Sequence, residues 1–172
     1  MKKLPYGISN YEELITENYY YVDKTKNIEK LEDLAEKRIL FLRPRKFGKT
    51  LFTSMISYYY DINAKNKFEK LFKNTYIGKN PTPLKNSYCI LKFNFSGIDT
   101  TTAQTTVEGF KEIAKISIQG FIADYNIDFY VNDNQTAEDM LNSLLESFRV
   151  QRRGQKIYVI IDEYDHFANE LL

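Results

Sequence analysis

The sequence predicts an α/β fold of three layers, a parallel sheet with flanking helices. Two apolar runs lack alternation, Ile39-Leu40-Phe41-Leu42 and Ile157-Tyr158-Val159-Ile160-Ile161, as suits parallel strands buried on both faces. The intervals around them carry helical periodicity, and strands separated by helices build this class of sheet. Each run also leads into a chemically loaded turn, Gly48-Lys49-Thr50 after the first and Asp162-Glu163 after the second.

Taken in order, residues 9–17 read as a short helix that Ser9 or Asn10 caps, with Glu12 and Glu13 in the first turn. An extended piece, 19–22, precedes a longer helix over 24–36, where Ile28, Leu31, Leu34 and Ala35 share one face. Residues 38–42 form the first predicted strand, and a helix runs from Thr50 to about Ile62. A turn or two of helix follows at 66–72. Pro81 and Pro83 mark a loop before a second strand at 87–95, rich in Tyr88, Ile90, Leu91, Phe93 and Phe95. Residues 101–125 carry an apolar helical stripe through Val107, Phe110, Ile113, Ala114, Ile118 and Phe121. Gly109 and Gly120 each weaken that helix by about 1 kcal/mol relative to Ala. Thr136-Ala137-Glu138-Asp139 resembles a capping box at the start of a helix reaching Arg149, and Arg152-Arg153-Gly154 ends it before the third strand.

A chain of 172 residues is long enough for one domain with its own core, read as a helical segment over 1–37 and a ligand-binding core over 38–172. Lys plus Arg number 24 against 23 Asp plus Glu, so no global field draws the protein to nucleic acid or an anionic membrane, and any polyanion site is local. The single cysteine, Cys89, excludes an internal disulfide and a thiolate metal cluster. No apolar run approaches the ~20 residues of a membrane span, and Met1-Lys2-Lys3 leads into no signal-type apolar segment. A soluble, cytoplasmic protein is expected. The Tyr19-Tyr20-Tyr21 and Tyr58-Tyr59-Tyr60 triplets could stack bases, but no dense Lys/Arg pattern accompanies them, which favours rings packed inside with wet hydroxyls.

The first turn has the form of a phosphate grip. Backbone amides converge on an anion while a helix N-terminus adds partial positive charge, and glycine lets the main chain come close. Of the pattern G-x-x-x-x-G-K-[ST], Gly48-Lys49-Thr50 is intact, while Arg43 stands at the first glycine position. Pro44 has no amide hydrogen, so the donors come from Arg45, Lys46, Phe47, Gly48, Lys49, Thr50 and Leu51. Lys49 is assigned to the β- and γ-phosphates, the Thr50 hydroxyl to Mg²⁺, Asp162 to the same Mg²⁺ through water, and Glu163 to polarising the attacking water. The bland alternatives are a solvated basic turn at 43–50 and a helix N-terminus that favours the negative charge of Asp162, Glu163 and Asp165.

These residues, with Leu4-Pro5-Tyr6-Gly7-Ile8-Ser9 and Tyr20-Tyr21-Val22-Asp23-Lys24-Thr25, resemble the predicted AAA-ATPase-like family of bacteria, P-loop ATPases of the additional-strand catalytic-glutamate group. The resemblance spans nearly the whole chain. It implies a P-loop NTPase-like sheet, ATP and Mg²⁺ as ligands, and Lys49 and Glu163 as catalytic groups. The family loop habitually reads arginine-arginine-phenylalanine-glycine-lysine, so Arg43 in place of glycine follows the family, and Lys46 stands where its second arginine would be. Its members usually continue into further strands and often a restriction-endonuclease-like domain. The sheet here is therefore expected to be incomplete, lacking the fourth strand that lies between the first and third. A homo-oligomer or another partner could complete it, and nucleic acid would be reached through the additional domain.

Arg149, Arg152 and Arg153 qualify as arginine fingers by charge alone, against the alternative of cations at a helix C-terminus. His166 beside Asp162, Glu163 and Asp165 suggests a metal cluster or an exposed side chain. The Val22-Asp23-Lys24-Thr25 element either reaches the nucleotide from the N-terminal side, as the resemblance implies, or serves through Asp23 as a helix cap. Three functions stand open at this point: an ATP-binding, ATP-hydrolysing protein; a degenerate relative acting as a non-catalytic interaction module; and a nucleic-acid-associated protein using Arg43, Arg45, Lys46 and the tyrosines.

Overall fold

The computed structural model describes residues 2–34, 36–42, 44 and 46–164. The chain divides into two compact units, Met1–Ser87 and Tyr88–Leu172.

The first unit is helical. Helix α1 (Tyr11–Thr16) starts where Asn10 Oδ1 accepts the Glu13 amide at 3.2 Å, and α2 (Lys26–Asp33) presents buried Ile28. Helix α3 (Lys49–Tyr60) runs into a 3-10 turn (Ile62–Lys67), followed by α4 (Phe68–Phe72) and α5 (Tyr76–Lys79). Aromatic rings form its centre. Phe72 stacks on Tyr11 at 5.2 Å and on Phe68 at 5.3 Å, and meets Tyr59 edge-on at 5.7 Å. Tyr11, Tyr59 and Phe72 are fully buried, so truncating Phe72 to Ala would remove about 3–5 kcal/mol. Buried hydroxyls need partners. Tyr11 donates to the Leu71 carbonyl at 3.2 Å and Tyr60 to Glu32 at 2.9 Å, while Tyr59 accepts the Thr82 amide at 2.8 Å. Burial pushes the Tyr11 phenol well above its ordinary range and the Tyr21 phenol up to about 12. The second triplet therefore belongs largely to the core. In the first triplet, Tyr21 packs edge-on against Tyr11 and Tyr20 is exposed.

The second unit is α/β. Strand β1 (Tyr88–Asn94) pairs in parallel with β2 (Lys156–Asp162), with Tyr88 opposite Lys156 and Asn94 opposite Asp162. The connection holds α6 (Ala103–Asp124) and α7 (Ala137–Gln151). Thr102 and Thr105 form a reciprocal capping box on α6, and Thr136 accepts the Asp139 amide at the start of α7. Ile118 and Phe121 of α6 pack with Met140, Leu144 and Phe148 of α7, the rings of Phe121 and Phe148 lying 5.6 Å apart. Cys89, Leu91 and Phe93 bury one face of β1, so the thiol sits as a small apolar group.

One expectation is corrected. Residues 38–42 do not form a strand: among the described residues the sheet has two strands, β1 and β2. A strand exists through the neighbour that takes its hydrogen bonds, and the described sheet holds β1 and β2 alone. Leu40 and Leu42 are accordingly 66% and 71% exposed, while Phe41 stacks on Phe52 of α3 at 4.9 Å. The α/β class and the parallel pairing stand. The four-residue helix α5 had no forecast.

Candidate functional site

The residues assigned to chemistry fall on two units.

In the first unit the turn after 38–42 enters α3 through two left-handed residues, Lys46 at φ 66° and Gly48 at φ 75°. The Phe47 amide donates to the Pro44 carbonyl at 3.3 Å, closing the turn, and Gly48 is the N-cap of α3. Glycine suits this cap because a side chain at positive φ strains the backbone. Among the described residues no side chain caps the helix, and its first turn carries no acid, so neither competes with an anion for the amides at that end. Lys49 and Thr50 occupy the first two helical positions and are half-buried, whereas Lys46 and Phe47 are exposed. Thr53 Oγ1 donates to the Thr50 carbonyl at 2.9 Å, and among the described residues the Thr50 hydroxyl has no hydrogen bond of its own. Leu51 continues the helix. Arg43 and Arg45 lie outside the described residues.

In the second unit β2 delivers Asp162 at its last position, 4% exposed, where its carbonyl accepts the Phe95 amide at 3.1 Å. Glu163 follows with φ 57°, a left-handed conformation that costs a residue with a Cβ about 1–2 kcal/mol. Its amide donates to Asp162 Oδ1 at 3.1 Å. This sharp turn leaves the Glu163 carboxyl half-buried at the carboxyl end of the strand. Nothing in the sequence announced the positive φ, since glutamate is not a residue that favours it. Asp165 and His166 lie outside the described residues.

Three candidates take structural roles. Asp23 Oδ1 accepts the Thr25 amide and hydroxyl at 2.9 and 2.7 Å, and Oδ2 accepts the Tyr76 amide at 2.7 Å, so this carboxylate holds the entry to α2 against α5. Arg152 donates through Nη2 to the carbonyls of Tyr125 and Asn126 at 2.6 and 3.2 Å, tying α7 to the end of α6. Arg149 pairs with Glu146 at 2.9 Å.

A family model described as Predicted AAA-ATPase matches residues 5–172. The chain belongs to this AAA-ATPase-like family. No curated protein and no solved structure matches it. Membership in the AAA-ATPase-like family supports nucleotide use at the level of the family. No helix among the described residues is long and apolar enough to cross a membrane.

Proposed function

We propose that the protein binds ATP with Mg²⁺ and hydrolyses it. The observation that carries this reading is the uncapped, acid-free N-terminus of α3 presented by the left-handed Gly48, with Lys49 and Thr50 next in line, in a chain of an ATPase family. The backbone amides at that end receive phosphate oxygens, and Lys49 neutralises the β- and γ-phosphates. Lys46 and Phe47 form the exposed rim of the turn and Leu51 continues the helix, while Arg45 is assigned to the loop from the sequence.

The donor set fits magnesium. Mg²⁺ takes hard oxygen ligands, keeps several waters and binds through one or two protein groups plus substrate phosphates. Thr50 in the first unit offers an uncommitted hydroxyl, and Asp162 in the second a carboxylate, each of the ligand type magnesium takes. A magnesium ion held by such groups would offset charge on the phosphates. Glu163, in its left-handed turn, orients and deprotonates the water that attacks the γ-phosphate.

Phosphate release from ATP tests the reading. Wild type should turn over with Mg²⁺, and Glu163→Gln should bind ATP with turnover at least about 100-fold lower, the usual scale of a lost general base. Unchanged turnover in Glu163→Gln would remove the assignment.

A second reading, a non-catalytic interaction module, is favoured by the exposed Leu40 and Leu42 of the 38–42 segment. Under it, neither wild type nor Lys49→Ala would release phosphate.

A further inference from the structure

The turn that leads into α3 holds a conformation its own residues do not favour. Lys46 has φ 66°, a region that a residue with a Cβ avoids, and a lysine has no local side-chain bond to offset it. The Phe47 amide closes the turn on the Pro44 carbonyl at 3.3 Å, at the long end for such a bond. A strained backbone persists only where its surroundings over-determine it.

Phe41 supplies that support. Its ring stacks on Phe52 at 4.9 Å with 25° between the planes. Phe41 lies three residues ahead of Pro44 and Phe52 four beyond Gly48, so the pair joins the two limbs of the turn at its base. Phe52 is a fixed post. Its amide donates to the Gly48 carbonyl at 3.0 Å, closing the first turn of α3, and the following residues Ser54, Met55 and Tyr59 are buried. Ser54 Oγ accepts the Tyr11 amide at 3.0 Å and so ties the helix to α1. Leu40 and Leu42 are exposed, whereas Phe41 between them is half-buried.

We propose that Phe41 is a positioning residue for the nucleotide: its stack on Phe52 presets the 44–48 turn in the conformation that offers Lys49 and the first amides of α3 to phosphate. This inference rests on the ATP reading above. Preorganisation lowers the ordering cost of binding, so losing the clasp weakens affinity as well as stability. Lys46 makes the clasp necessary. Glycine adopts positive φ as readily as negative, so with Lys46→Gly the turn keeps its shape with less help from the rings.

Phe41→Ala and Lys46→Gly, alone and together in the full chain, form a double-mutant cycle. The readouts are the dissociation constant of ATP with Mg²⁺ by titration calorimetry and, without nucleotide, hydrogen exchange at the Phe47 amide. Phe41→Ala should weaken ATP binding about tenfold beside Lys46, about 1.4 kcal/mol, and less than about threefold in the Lys46→Gly background. The lost lysine charge is common to both Lys46→Gly proteins and cancels in the cycle. Exchange at Phe47 should quicken with Phe41→Ala and change less when Lys46→Gly is present. If Phe41→Ala melts too low to assay, Phe41→Leu takes its place, keeping apolar bulk without a stacking face. A ring that only packs would lower the melting temperature equally in both backgrounds and leave the dissociation constant unmoved. That result, or an equal loss of affinity in both backgrounds, would overturn the proposal. Wild type that binds no ATP would end the ATP reading instead, and Phe47 exchange unaltered by Phe41→Ala would then refute the clasp on its own.

Discussion

The Glu163 amide donates to the carboxylate of Asp162 at 3.1 Å, so the two acids that close β2 are locked into one turn in which the second carries a left-handed backbone. The pair has a thermodynamic signature separate from catalysis. Replacing Glu163 by Gly relieves the roughly 1–2 kcal/mol cost of that conformation, partly offset by the extra freedom glycine loses on folding. Glu163→Gly should therefore melt at or above wild type while losing phosphate release, and Glu163→Ala should melt below Glu163→Gly. A melting temperature for Glu163→Gly several degrees under wild type would show that the side chain holds the turn.

Thr25 is fully buried, donates to Asp23 at 2.7 Å and accepts the Ile77 amide at 3.1 Å. Thr25→Val keeps the shape but leaves the Ile77 amide without its acceptor, at a cost of about 1–3 kcal/mol. Urea unfolding should show this loss with ATP affinity unchanged in the folded protein. A large fall in affinity with stability intact would return 22–25 to the nucleotide.

The two mid-helix glycines of α6 should respond differently to the same substitution. Gly120→Ala gains helix propensity in open space and should stabilise by up to about 1 kcal/mol. At Gly109 the new methyl meets Ile98, so the same substitution should give no gain. Thermal melts of both variants check the contrast.

Lys67 donates to Glu12 at 2.8 Å, and this hydrogen bond holds the Glu12 carboxyl below its usual range. A depressed folded pKa gives stability that is present above the unfolded value and lost as pH falls through the folded one. Because both side chains are partly exposed, the pair should contribute no more than about 1 kcal/mol. The urea midpoint of Lys67→Met should lie below wild type at pH 7, with the difference shrinking toward pH 3 and in high salt. A difference constant with pH would assign the effect to the packing of Lys67 over Tyr58.

Local signals carried most of the secondary structure into view. The apolar runs at 88–94 and 156–162, the helical stripe of α6 and the Thr136 cap each declare themselves within a few residues. Residues 38–42 carry an equally strong apolar signal, yet a strand is a pairwise object, and no local pattern tells whether its neighbour is at hand. Helix α5 is four residues long, too short for periodicity, and rests on contacts from Asp23 and Thr25 more than 50 positions away. At the candidate site, Gly48-Lys49-Thr50 was legible because glycine before a helix has a backbone meaning. The turn at Glu163 was not, because its left-handed conformation is imposed by the end of β2 rather than by residue type.

Binding of the ATP triphosphate at the N-terminal end of α3 is tested most directly by the thermal shift of wild type and Lys49→Ala with Mg²⁺ and ATP. A ligand bound to the folded state at 100 times its dissociation constant stabilises by about 2.7 kcal/mol. Wild type should therefore melt several degrees higher with ATP and Lys49→Ala should not move. Equal shifts in the two proteins, or none in either, would show that the triphosphate is not held by Lys49 at this helix end.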